Sequence, residues 1–141
     1  MKTINRHALI LIYEEFMKII KSENIEIAFE VFGLDKPLLY YSDPNLSKDK
    51  ENWIYRKRNT VRTFSQSSLA IAEKNNYDIV SFCNKYGYSS SDYALVGGSI
   101  PITNPYGNMI GILTVTGLDP IEDDQLAHIV LKNVYHNLST E

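Results

Sequence analysis

The sequence predicts an α+β domain: an antiparallel β-sheet flanked by helices, in the order α-β-β-α-α-β-β-α. Two observations carry that reading. Strand-like segments come in pairs joined by turn chemistry, Gly33-Leu34-Asp35-Lys36 in one pair and Asn104-Pro105-Tyr106-Gly107-Asn108 in the other. Helical periodicity fills the segments before, between and after the pairs. Strands that arrive as hairpins, and not singly in alternation with helices, pair antiparallel and need helices to cover their apolar face.

Each element has its own justification. Asn5 to Ser22 reads as a first helix with Asn5 as its N-cap. Its apolar residues cover more than one face, which predicts burial from two sides, by the core and by a partner subunit. Ile25, Ile27, Phe29 and Val31 alternate with Glu26, Ala28 and Glu30, the pattern of a half-buried strand. Pro37 to Tyr41 returns beside it. A second helix follows to about Phe64, capped by Asp43 ahead of Pro44 or slightly later by Ser47. Ser65 to Ser68 breaks it before a short third helix, Leu69 to Lys74. Another short helix falls around Ile79 to Tyr86, inside a Tyr-, Ser- and Asn-rich stretch that reads either as a binding loop or as packed cover. Gly97-Gly98 introduces the strand Ser99 to Thr103, and Met109 to Thr116 completes the second hairpin. Pro120 opens the last helix, with Glu122, Asp123 and Asp124 complementing its dipole. Leu126, Ile129, Val130, Val134 and Leu138 form its buried stripe.

The chain has 141 residues, 44% of them hydrophobic and 22% charged, which reads as one globular domain spanning 1–141. A net charge of −3 argues against nucleic acid as a partner. Ala8 to Ile12 is apolar, but Glu14 and Glu15 interrupt it too soon for a signal peptide or a membrane span. The single cysteine, Cys83, suits a reducing compartment, so the expected location is cytoplasmic. One cysteine and three scattered histidines offer no metal-ligand spacing.

The chemistry concentrates on the second helix. At about 100° per residue, Trp53, Lys57, Thr60, Val61, Phe64 and Ser68 share one arc. Lys57 therefore sits in an apolar stripe, where an ammonium needs an ion pair, an anion or a route to solvent. Pairing with an acid such as Asp92 or Asp124 is the reading placed first. A carboxylate or phosphate ligand held by Lys57 and Arg56 is the alternative. Ser67 and Ser68 suit either capping of the next helix or the lining of a pocket. Gly97 and Gly98 allow close approach of a ligand or a tight entry into the strand. His7 and His136 fall near the chain ends on helices, at the surface or an interface. No catalytic constellation stands out, and no serine has the context of a nucleophile elbow.

Taken in order, Asn52-Trp53-Ile54-x-Arg56-Lys57, Val61, Phe64, Ser67-Ser68, Asp92-Tyr93-Ala94, Gly97-Gly98-x-x-Pro101 and Gly111-x-x-Thr114-Val115-Thr116-Gly117-Leu118 resemble the haem-degrading-domain (HbpS/GlcG-like) family. The branch most resembled is the uncharacterised one of short single-domain proteins, over roughly Leu46 to Val130. The resemblance implies a profilin-like fold, a homo-oligomer built as a dimer or larger ring, and haem as a cofactor or substrate. It also adds Asp124 and Gln125 to the candidate ligand residues, at the place where the family carries Asp-His or Asp-Glu. Gln125 stands where the closest branch has an imidazole, and an amide does not replace that iron ligand. His128, nearly a turn later, is expected to point away from the Asp124–Gln125 direction. The leading functional expectation is an oligomeric, non-catalytic module for a small anionic ligand, with a pocket between the second helix and the Gly97-Gly98 hairpin. A haem-binding or haem-degrading protein and an assembly scaffold are the alternatives.

Overall fold

The computed structural model describes residues 3–139; the outer ends of the 1–141 span lie outside the described residues. Nine elements are present, one helix more between the hairpins than the α-β-β-α-α-β-β-α order: α1 (Arg6–Glu23), β1 (Ala28–Phe32), β2 (Pro37–Ser42), α2 (Lys50–Phe64), α3 (Ser68–Lys74), α4 (Ile79–Tyr86), β3 (Ser99–Thr103), β4 (Met109–Thr116) and α5 (Pro120–Ser139). The sheet runs β2-β1-β4-β3, with every neighbouring pair antiparallel. The two hairpins meet through the β1–β4 pair, which places Glu30 opposite Thr114 and Ala28 opposite Thr116.

Local chemistry sets the helix ends. The Asn5 side chain accepts the Ala8 amide at 2.8 Å, fixing the start of α1 as its sequence predicts. α2 begins later than predicted. Asp43 accepts the amides of Asn45 and Leu46, through Oδ1 and its carbonyl respectively, and so closes a turn; Ser47 donates to Asp49. The helix starts only at Lys50. Ser67 caps α3 by accepting the Ala70 amide at 3.1 Å, and Asp78 caps α4 by accepting that of Ser81.

Helices α1 and α5 cover one face of the sheet. Ile12 and Phe16 from α1 and Ala127, Val130, Leu131 and Val134 from α5 pack on Ile27, Phe29, Val31, Ile100, Ile102, Leu113 and Val115. The α5 stripe differs from the predicted one at Ile129, which is 51% exposed. α1 is also less enclosed than its composition suggests: within this one chain Ile10 and Tyr13 are exposed.

The other face is buried too, and it is polar. All five residues of β1 are buried, so the predicted half-buried strand is in fact covered on both sides. The alternation was read correctly, but Glu30 meets α2 where water was expected. Residues 28 and 30 of β1, Thr114 and Thr116 of β4 and Ser99 of β3 lie beneath α2 and α3. Matching polar groups compensate their burial, as desolvated polar atoms require. Arg58 Nη1 reaches Glu30 Oε1 at 2.7 Å, and the Ser99 and Thr114 hydroxyls lie 2.8 Å apart. Ser68 accepts the Ser99 amide at 3.1 Å. Phe32, Val61 and Ile112 supply a small apolar patch in the same layer.

Candidate functional site

Lys57 occupies the centre of this polar layer. It is 2% exposed, and its ammonium lies 3.1 Å from Asp123 Oδ2, 3.1 Å from the Val115 carbonyl and 3.5 Å from Thr116 Oγ1. Three donors thus meet three acceptors. Asp123 is 1% exposed, and its second oxygen accepts the Leu118 amide at 3.0 Å. The ion pair joins α2, the end of β4 and the first turn of α5. Its partner is therefore Asp123, neither Asp92 nor Asp124. Dipole complementarity accounts equally for all the first-turn acids of α5, so the sequence does not distinguish Asp123 as the one that turns inward.

Burial lowers the pKa of Lys57 and raises that of Asp123, and their mutual attraction offsets part of each shift. The two groups hold each other in the charged form in a place that favours neither alone.

Gly97 and Gly98 serve this junction. A Cβ at Gly98 would lie 2.5 Å from the Val115 carbonyl and 2.7 Å from Lys57 Nζ, at a φ of +129°. One at Gly97 would lie 2.5 Å from the Pro120 carbonyl. These glycines let the β3 entry pass between α2 and α5, so close backbone packing accounts for them without a ligand.

The remaining candidates separate. Arg56 donates from Nε to the Tyr93 carbonyl at 3.0 Å, and its guanidinium stacks 4.3 Å from the Trp53 ring centroid. Ser67 is the α3 cap, and Ser68 is fully buried against Ser99. Asp92 accepts from Tyr55 and Asn59, not from a cation. Asp124 is 8% exposed with a pKa raised chiefly by burial, and its Oδ1 is 3.7 Å from His128 Nε2. That contact corrects the expectation that His128 points away: four residues at about 100° each return close to the starting direction. Gln125 is exposed on the other side of α5. His7 and His136 are both exposed on their helices.

An open cleft of about 170 Å³ lies over the ion pair, lined by Lys50, Trp53, Lys57, Val96, Thr116, Leu118, Pro120 and Asp123. It lies along the N-terminal half of α2, the helix expected to bear the pocket, with Val96 in its lining in place of Gly97 and Gly98. Lys50 is the residue that sequence reasoning missed. It is half-buried and makes no ion pair among the described residues. The signal was present, because Lys50 precedes Trp53 by three residues and Lys57 by seven, on one helix face. A second cleft of about 190 Å³, on the other side of Leu118, is lined by Ile19, Glu23, Ile25, Glu122, Gln125, Leu126 and Ile129.

The fold and this junction can be set beside known proteins. A family model described as haem degrading protein HbpS-like matches residues 6–132. The chain belongs to the HbpS-like family. Among its relatives, a UPF0303 protein of Zymomonas mobilis subsp. mobilis is 38% identical over 104 residues, 74% of this chain. The match spans 56% of that relative's length. The crystal structure of the Ybr137w protein superposes with a TM-score of 0.86 at 23% identity, covering 100% of this chain and 83% of that one. A structure of PduOC in complex with haem superposes at 0.74 with 11% identity, covering 92% and 94%. At such identities these likenesses concern the fold.

The HbpS-like description raises haem, and the two clefts beside Leu118 do not fit it. Neither is lined by His, Cys, Met or Tyr, the usual axial ligands. The one lysine at the floor already has three acceptors. Both volumes fall below the roughly 300–1,000 Å³ of sites that enclose even drug-sized ligands. Among the described residues no group of three or more His, Cys, Asp or Glu could hold a metal ion. No helix among them is long and apolar enough to cross a membrane.

Proposed function

We propose that this chain is a non-catalytic module that binds a small anionic ligand in the cleft between α2 and the start of α5, and that it works as a homo-oligomer. The observation that carries the first part is Lys50. Arg56 and Lys57, the cations named from sequence, are engaged by Tyr93, Trp53, Asp123 and Val115. Lys50 lines the same cleft without an ion pair of its own among the described residues, sensing Asp123 only as a neighbouring charge. Such a cation gains more from a bound anion than one already in an ion pair. The chain's net charge of −3 makes this a local attraction, weakened by added salt.

The test is calorimetric titration of the protein and of Lys50→Met with small carboxylates and phosphate at low and high salt. The reading expects a saturable, salt-sensitive affinity for at least one of these anions, and the substitution to weaken it. Unchanged affinities in Lys50→Met refute it.

Assembly is supported by Ile10, Tyr13 and Ile129, large apolar side chains left exposed by one copy. Native mass measurement tests it, and a strict monomer counts against it. Haem binding is a second reading, favoured by the fold shared with PduOC, whose structure was solved with haem. A site for it would have to lie outside the two clefts beside Leu118. Titration with haemin decides the matter by the presence or absence of a saturable Soret shift.

A further inference from the structure

We infer that the α2 cleft selects a monocarboxylic acid carrying one aromatic ring, with the ring against Trp53 and the carboxylate at Lys50. This rests on the anion-binding reading above and narrows it.

The argument begins with what the cleft leaves accessible. Its floor holds Lys57 and Asp123, but these are 2% and 1% exposed and satisfy each other. A ligand meets little of that charge. The other lining residues are Trp53, Val96, Leu118 and Pro120, all apolar and half-buried, and Thr116, which is buried and already accepts from Lys57. One available cation, Lys50, completes the lining. An inorganic anion placed there would exchange its hydration for a single ammonium and four apolar side chains, a poor match. An apolar body bearing one carboxylate fits both kinds of surface.

Size and wall chemistry narrow the body. A cavity of roughly 150 Å³ accommodates benzene. This cleft, at about 170 Å³, has room for one ring. Arg56 stacks on the indole of Trp53 and so fixes the aromatic wall before any ligand arrives. Aromatic pairs gain beyond the area they bury, which favours an aromatic over a saturated ring.

Trp53 is the only tryptophan in the chain, so its fluorescence reports on the cleft directly. The full-length protein is titrated with phenylacetate, cyclohexylacetate, phenylacetamide and phosphate at constant ionic strength, with calorimetry in parallel. Phenylacetate, with about ten non-hydrogen atoms, is expected to saturate with a Kd on the order of 0.1–1 mM. Lys50→Met should weaken it about tenfold and Lys50→Arg should restore it. Cyclohexylacetate is expected to bind a few-fold more weakly, and phenylacetamide and phosphate not to saturate over the same range. Equal binding of phosphate overturns the ring-acid inference while leaving an anion site. Equal binding of cyclohexylacetate overturns its aromatic part. Equal binding of phenylacetamide, failure of every anion to bind, or indifference to Lys50→Met overturns both the inference and the reading beneath it.

Discussion

Replacing Lys57 by methionine tests the central feature of this structure, because the side chain stays unbranched and only one atom shorter while it loses its charge and donors. The variant leaves Asp123 1% exposed with one remaining donor, the Leu118 amide. Removing one partner of a buried ion pair costs about 3–5 kcal/mol. Protonation of Asp123 limits that cost. At pH 7 a carboxyl with an ordinary unfolded pKa is roughly three units from protonation, at about 1.4 kcal/mol per unit, which caps the penalty near 4 kcal/mol. The sign of the pH dependence follows. Without Lys57 the folded pKa of Asp123, already raised by burial, rises further above the unfolded value. Stability tied to a raised pKa is fully present below the unfolded pKa and lost as pH rises through the folded one. The variant should therefore lose least at about pH 4 and most at neutral pH, relative to the native protein. Lys57→Met/Asp123→Asn removes both charges and keeps an acceptor for the Leu118 amide. It should cost only about 1–2 kcal/mol, for the donors lost to Val115 and Thr116. Urea unfolding followed by Trp53 fluorescence and far-UV circular dichroism, at one fixed protein concentration, measures all three proteins. A loss below about 1 kcal/mol, a loss independent of pH, or a double variant no better than the single one would refute the reasoning.

Other outcomes follow from the same layer and its surroundings. Gly98→Ala should destabilise by about 3 kcal/mol or more in urea unfolding, since its Cβ meets the Val115 carbonyl and Lys57 Nζ at a φ of +129°. Gly87→Ala, at a φ of +73° with nothing within 4 Å, should cost only about 1 kcal/mol by the same measurement. Ser68→Ala strands the buried Ser99 amide and should cost about 1–3 kcal/mol. Cys83 is 7% exposed and burial raises its pKa, so iodoacetamide should alkylate it slowly in native protein and rapidly in urea; equal rates would contradict its placement.

Much of the fold was legible because hairpins and caps are local. Asn5, Ser67 and Asp78 close their helices with their own side chains, and the Asn104–Asn108 turn pairs β3 with β4 without help from the rest of the chain. The misreadings occur where partners are distant in sequence. Glu30 was assigned to solvent because alternation cannot tell a wet face from one covered by a polar helix. Its partner Arg58 is 28 residues away, and its burial depends on how α2 crosses the sheet. Ile129 is expected in the core because a helical stripe does not show how wide the covered arc is: Leu126, Ala127, Val130, Leu131 and Val134 are buried before and after it, and Ile129 lies at the angular edge of the stripe.

The site shows the same limit at finer scale. An ammonium in an apolar arc was visible at Lys57, and so was its need for a partner. Choosing Asp123 over Asp92 and Asp124 required the angle at which α5 leaves β4, which the backbone around Gly97 and Gly98 makes possible. Once that pair forms, the residue that first drew notice is chemically saturated. In the proposed reading the cleft above it takes its charge from Lys50, which shares a helix face with Trp53 and Lys57 but, as a lysine near a helix start, demands no explanation by itself. The buried pair and the open cation divide the labour: Lys57 holds three elements in register, and that rigidity sets Trp53, Leu118 and Pro120 around the space Lys50 faces. A substitution at Lys57 should therefore perturb binding only through folding, whereas one at Lys50 should perturb binding with the fold intact.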